Sequence, residues 1–400
     1  MIDGLERDTD IITIQSKAEA VEDALTGTDF DRVAEVNDGG SITTSSNTAG
    51  ANSLLIVKGT IAGGQTVQGD QTVQGGGSTI QVRGRRSGTV FGFTASGTRP
   101  TVTTGAGDIL TLAGNNTHIA GLFIDGQATS NHGIFAGSDK SNLAFTQNRF
   151  ANIGGDGIVI WNDNSDIIID QNTMSAMNSD GIFFNDRNRN ITITNNILTG
   201  GSSEGIDIDD DNSNITITNN LITDFVDSIE IDNRNSNILI ANNTLVSDPT
   251  RAGEAIEFRL DNTGITIRDN TISANDNAIE INNNNNTGSI TGNTITTMTG
   301  DGIQLGRNAD TNNTFTVTGN TFGAIGGAAI RIANNSNVTI TDNTFNSAIG
   351  TFLLDVDGTG NALSGAGNTA SVAVTCQSGT FTGTVTVSGV ILQDGVAPCN

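Results

Sequence analysis

The feature that most constrains this chain is a repeat of about 24 residues that returns one isoleucine nine times: Ile134, Ile158, Ile182, Ile206, Ile229, Ile256, Ile279, Ile303 and Ile330. The steps are 24, 24, 24, 23, 27, 23, 24 and 27 residues. Two further apolar columns keep pace with it. One runs Phe145, Ile169, Ile193, Ile217, Ile240, Ile267, Ile290, Val317, Ile340, and the other Phe150, Met174, Leu198, Ile222, Leu245, Ile272, Ile295, Phe322, Phe345. Around each column apolar and polar residues alternate, as in Ile191-Thr192-Ile193-Thr194. That is the period of a half-buried strand, not of a helix. One such coil cannot bury its own apolar side chains. Stacked on its neighbours at about 4.8 Å, it pairs strands in parallel and joins the columns into one core. Three columns predict an all-β solenoid with three sides and about 24 residues per coil.

Between the second and third columns an asparagine recurs at Asn148, Asn172, Asn196, Asn220, Asn243, Asn270, Asn293, Asn320, Asn343 and Asn368. In a bend, asparagine tolerates left-handed geometry, and stacked copies form a side-chain amide ladder. The column is therefore read as structural. The Asn-x-Thr matches that accompany it follow from the turn and do not argue for glycosylation. Fifty Gly, three Pro and no Tyr fit repeated short strands joined by tight turns.

At the N-terminus, Ser16-Lys17-Ala18-Glu19 has a capping-box pattern and predicts a short helical cap running to about Leu25. The expected organisation is a cap and lead-in over 1–47, the solenoid over 48–370 and a closing segment over 371–400. Cys376 and Cys399 lie 23 residues apart, close to one coil, so that stacking on neighbouring coils lets them form a disulfide in an oxidising compartment. The net charge of −25, from 43 acidic and 18 basic residues, argues against nucleic acid or an anionic membrane as partner. No run of about 18 apolar residues predicts a transmembrane helix. Met1-Ile2-Asp3-Gly4-Leu5-Glu6 lacks the basic and apolar regions of a signal peptide, which leaves a cytosolic protein or a segment of a longer exported one.

The coil from Asp180 to Leu198, Asp-Gly-Ile followed by Asn, Ile-Thr and Asn, resembles the right-handed parallel β-helix repeats of the pectin-lyase-like superfamily and of bacterial autotransporter-type surface passengers. The resemblance covers roughly residues 105–370. It implies a right-handed helix, an extracellular or cell-surface setting, a monomeric rod, and a substrate groove on the side that carries the Ile134 column. It does not choose a reaction, because one fold hosts many.

The residues after that isoleucine column point outward. They read Phe135, Val159, Phe183, Asp207, Glu230, Glu257, Glu280, Gln304, Arg331, and two places on come Trp161, Asn185, Asp209, Asp232, Arg259, Asn282. One end is aromatic and the middle acidic. Carboxylates on successive coils repel by roughly 1 kcal/mol per pair in water, and folding does not require them. A calcium ion on Asp207 and Glu230, arginines Arg251 and Arg259, or raised carboxylate pKa values relieve that repulsion.

Two functions follow. The first is a secreted or surface module, structural and adhesive, whose acidic groove binds a cell-surface glycan or a divalent cation. The second is a polysaccharide-active enzyme in which Asp207, Glu230, Asp232 and Glu257 supply the general acid and base. In it, Phe135, Trp161 and Phe183 stack on sugar rings and Asp209, Arg251, Arg259 and Glu280 bind substrate. The regular coils favour the first, and only the insertion at 246–254 breaks them. Lyase or epimerase chemistry is disfavoured, because no lysine or arginine base flanks the acids in a lyase-like arrangement and His118 and His132 lie several coils away.

Overall fold

The structure, a computed structural model, describes residues 21–399 apart from 249, 252, 274, 275, 283, 308–311, 347 and 348. The chain divides into two units, Met1–Ile197 and Leu198–Asn400. Both are built from the same coil.

In the first unit, strands Leu110–Leu112, Ile134–Ala136, Ile158–Ile160 and Ile182–Phe184 pair in parallel with Leu110, Ile134, Ile158 and Ile182 in register. They make the first face. The second face carries Phe145 opposite Ile169 and Ile193, and the third carries Ile124 opposite Phe150 and Met174. In the second unit the first face runs Ile206, Ile229, Ile256, Ile279, Ile303, Ile330, Leu354. Its second face runs Ile217, Ile240, Ile267, Ile290, Val317, Ile340, and its third Ile222, Leu245, Ile272, Ile295, Phe322, Phe345. These columns are at most 2 % exposed apart from Leu354 at 3 %, and each isoleucine withdrawn from water contributes about 1.5–3 kcal/mol. The three-sided solenoid is the one the periodicity predicts.

The asparagine column is a ladder. In the first unit Asn148 Nδ2 donates to Asn172 Oδ1 and Asn172 Nδ2 to Asn196 Oδ1, and in the second the chain of such bonds runs unbroken from Asn220 to Asn368. The left-handed backbone, however, belongs to the residue before each ladder position: Gln147, Gln171, Asn195, Asn219, Asn242 and Asp269 have φ of 55–57°, and Gly292 and Gly319 have 67° and 66°. That turn frees the asparagine to point inward and stack. A second ladder links the backbone N–H of one asparagine to the side-chain oxygen of the next: Asn164 to Asn188 in the first unit, and Asn212, Asn235, Asn262, Asn286 and Asn313 in the second.

The ends differ from the sequence expectation at one point. Ser16 to Glu19 lie outside the described residues. Val21–Asp23, inside the stretch expected to be helical, is a strand antiparallel to Thr79–Gly84, which pairs in turn with Val90–Thr94. Val21 and Phe30 bury against Leu54, Ile56, Val82 and Phe93, and that apolar partner outweighs a local capping pattern. The helix of the described residues is Ile42–Ala49, with Ser41 Oγ accepting the Thr44 N–H at 3.1 Å and Ser46 Oγ bonded to the Gln68 N–H and the Gln71 side chain. At the other end Cys376 and Cys399 pair as a parallel bridge and are joined by a disulfide.

Candidate functional site

The second unit gathers its carboxylates along the outer side of the first face, the strip expected to carry the groove. Asp207, Glu230, Glu257 and Glu280 stand in register on successive strands, as the sequence implies. Pointing away from the apolar core does not leave all of them in water. Glu230 is 6 % and Glu280 0 % exposed, while Asp207 and Glu257 are half-buried.

What covers them is a second acidic column that the sequence reading did not assign to the groove. It is the acidic residue three places before each strand acid: Glu204, Asp227 and Glu254, followed by Asn277. Oxygens of Glu204, Asp227 and Glu230 lie within 4.8 Å of one another, and so do those of Asp227, Glu254 and Glu257. The signal was present in the repeat as the first residue of the Asp-Gly-Ile element. The bend before the strand directs it back over the strand acids. The 27-residue coil contributes here. The Glu254 N–H donates to Asp227 Oδ1 at 2.6 Å, and a Cβ on Gly253 would stand 2.2 Å from the Val226 carbonyl oxygen. Only glycine lets the inserted segment approach Asp227 this closely.

Several acids are matched. Arg259 bridges Glu230 and Asp232, with Nε 2.9 Å from Asp232 Oδ1. Arg307 Nη1 lies 3.1 Å from Glu280 Oε1, and Asn277 Nδ2 donates to Glu280 Oε2. Asn282 Nδ2 donates to Glu257 Oε1. No arginine forms an ion pair with Asp227, Glu254 or Glu257 among the described residues. The electrostatic consequence is large. Burial, then the charges of Glu257 and Glu204, push Asp227 up to about 6. Burial, then Glu280 and Asp227, push Glu254 up to about 9. Glu230 also rises to about 9, through burial, Glu257 and Asp232 against the pull of Arg259, and burial raises Glu257.

The other expected site residues fall as follows. Asp209 is half-buried beside the second ladder, and its backbone carbonyl accepts from Asn212 and Asn235. Arg251 ties down the inserted turn, through Asp248 at 3.2 Å and the Gly201 carbonyl at 2.9 Å. The aromatic residues belong to the first unit. Phe135 and Trp161 have ring centroids 6.4 Å apart, His132 stacks on Phe135 at 6.1 Å, and Trp161 is 42 % exposed. Phe183 is half-buried on the same face, in register with Val159. His118 is buried beneath the N-terminal strand, where it bonds Asp23 at 2.7 Å and Thr146 at 2.7 Å. No described helix is long and apolar enough to cross a membrane.

With this architecture in place, the chain belongs to the family described as right handed beta helix region, whose model matches residues 70–245 and 227–377. Among solved structures it is similar to a double mutant of the periplasmic alginate epimerase AlgG, at 12 % identity and a TM-score of 0.50, with 78 % of this chain and 76 % of that one aligned. It is similar also to the catalytic unit of a GH87 α-1,3-glucanase from Streptomyces thermodiastaticus, at 14 % identity and 0.51, covering 90 % and 71 %. Tailspike protein 3 of bacteriophage CBA120 aligns at 13 % identity and 0.50, over 86 % of this chain and 57 % of its own. At such identities the likeness is one of fold. No curated protein matches the sequence.

Proposed function

We propose that this protein acts on polysaccharide and that the acidic groove cleaves a glycosidic bond by carboxylate acid–base chemistry. One observation carries the proposal. Asp227 and Glu254 are adjacent, and their pKa values are driven apart, to about 6 and about 9. Between those values one carboxyl is ionised and the other protonated, which is the division of labour that two-carboxylate hydrolysis needs. Glu254 gives its proton to the departing glycosidic oxygen while ionised Asp227, with an oxygen within 4.8 Å of it, attacks the anomeric carbon. The glycosyl ester so formed is hydrolysed by a water whose proton Glu254 takes back. Glu230, Glu257 and Arg259 then hold substrate hydroxyls, with Asp207, Asp209, Asp232 and Glu280 shaping the field around them. Exposed Trp161 and half-buried Phe135 offer a separate surface for sugar rings. Support for the substrate class comes from two fold neighbours, an alginate epimerase and an α-1,3-glucanase. The disulfide fits an oxidising, extracytoplasmic setting.

Incubation with a panel of polysaccharides, following chain length, tests this. Cleavage should rise with pH as Asp227 ionises near about 6 and fall as Glu254 loses its proton near about 9. Glu254→Gln should lower the rate by about 10²–10⁴-fold. Binding of a glycan without cleavage across the panel would return the groove to the adhesive reading.

A second reading, calcium in the groove, is favoured by the oxygens of Glu204, Asp227 and Glu230, all within 4.8 Å and all of the hard type calcium prefers. At about a hundredfold excess over Kd the ion would stabilise the fold by about 2.7 kcal/mol. Equal melting temperatures in calcium and in chelator would end that reading.

A further inference from the structure

We infer that the polysaccharide taken by the groove is an amino-sugar polymer bearing free ammonium groups, rather than a neutral glycan or a polyuronate. The inference rests on the groove being a glycan site and concerns which glycan it takes.

The first argument is charge. Glu204, Asp227, Glu230, Glu254, Glu257 and Glu280 line consecutive coils, and among the described residues Arg259 pairs with Glu230 and Arg307 with Glu280, while Asp227, Glu254 and Glu257 form no ion pair. A polyuronate would bring a further carboxylate on each sugar into a field that already holds protons on Glu230 and Glu254. An ammonium group reverses the sign of that interaction. The second is an unmet acceptor. Asn282 is 7 % exposed and directs its Nδ2 onto Glu257 Oε1, and its Oδ1 has no donor among the described residues. The unpaired carbonyl oxygen and the carboxylate beside it present two acceptors to one incoming group, and an ammonium, with three hydrogens to donate, satisfies both. The third is that the groove already holds a cation of its own chain. The Arg259 guanidinium, 46 % exposed, lies between Glu230 and Asp232. An incoming ammonium can compete for those oxygens without any backbone change. Spacing fits as well, because carboxylates recur at one coil rise, about 4.8 Å, close to the length of one pyranose ring.

The chemistry predicts a second signature. An ammonium beside Glu254 and Glu230 lowers their proton affinity, so binding releases protons. A neutral sugar leaves them in place.

The test is calorimetric titration of the full chain at about pH 6, where amines are charged, with oligosaccharides of one length in three forms: free amine, N-acetylated and uronate. The free amine should bind at least about tenfold more tightly than the N-acetylated form, with the uronate weakest. Its heat should vary with the ionisation enthalpy of the buffer, as proton release demands. Glu257→Gln should bring amine and N-acetyl affinities close together. Should that variant fail to fold, about 1 M salt, with a Debye length near 3 Å, should erase the preference in the unaltered chain. Equal or tighter binding of the N-acetylated or uronate form overturns the inference. Cleavage of a neutral glycan that depends on Glu254, without any preference for amine, overturns it and leaves the hydrolytic reading standing. Amine preference without cleavage of any oligomer does the reverse.

Discussion

Two kinds of polar column run through the second unit, one of amides and one of carboxylates, and both take side chains out of water. The asparagines from Asn220 to Asn368 are at most 3 % exposed, while the groove buries Asp227, Glu230 and Glu280 to 6 % exposure or less. Their physics is opposite. An amide carries donor and acceptor together, so each asparagine satisfies the next and the column closes on itself. A carboxylate only accepts and repels its copy, so a stack of them stays incomplete until protons, arginines or a ligand arrive. A repeat protein can keep the first column for stability alone. The second works against stability, and its persistence over consecutive coils is what supports the function proposed for the groove.

The sharpest way to break this contrast is to cut the amide ladder. Asn270 donates to the Ile240 carbonyl and Asn293 Oδ1, both at 3.0 Å, and its own Oδ1 accepts from the Asn243 N–H at 2.9 Å and Asn243 Nδ2 at 3.0 Å. Asn270→Ala strands these groups in a dry interior. A loss of about 3–5 kcal/mol in denaturant unfolding is expected. A loss below about 1 kcal/mol would mean that the ladder decorates the corner instead of holding it.

Much of this was legible in the sequence, for identifiable reasons. The isoleucine columns and the Asn148 ladder repeat at the coil length, and a period fixes which residues stack. It does not fix where a bend sends a side chain. For that reason Glu204, Asp227 and Glu254 were missed as groove residues although they share the period of Ile206, Ile229 and Ile256. The second ladder, from Asn212 to Asn313, was equally periodic and overlooked, hidden among the many other asparagines of the turns. Left-handed geometry was placed on the ladder asparagine when it belongs one residue earlier, since both are turn positions and only the hydrogen bonds separate them. At Val21–Asp23 a local helix signal lost to a tertiary partner, Thr79–Gly84, that no neighbouring residue announces.

A smaller effect of opposite sign is expected in the groove. In the folded chain Glu230 and Glu254 keep their protons up to about 9, against 4.5 for an ordinary glutamate. Between those values the folded state binds more protons than the unfolded one, so stability must fall as pH rises through that window. Because Glu254 is partly exposed, the fall attributable to it is discounted to about 1–2 kcal/mol. Glu254→Gln keeps the shape and removes the charge. It should flatten that part of the slope and raise stability at about pH 9, where the unaltered chain is weakest. Urea midpoints measured across the window decide it. A variant less stable than the parent at high pH would mean that the carboxylate contributes to the fold.

The smallest expected effect lies at the corner that feeds the ladder. Gln171 is held at φ 57°, and the equivalent places before Asn293 and Asn320 are taken by Gly292 and Gly319. A non-glycine residue there costs about 1–2 kcal/mol in backbone sterics, and glycine gives back about 0.5–1 kcal/mol through its freer unfolded state. Gln171→Gly should therefore stabilise by roughly 0.5 kcal/mol, less the exposed contact of its Nε2 with Asp170. If the substitution destabilises by more than that amount, the side chain, and not only the backbone turn, is part of what positions Asn172 for stacking.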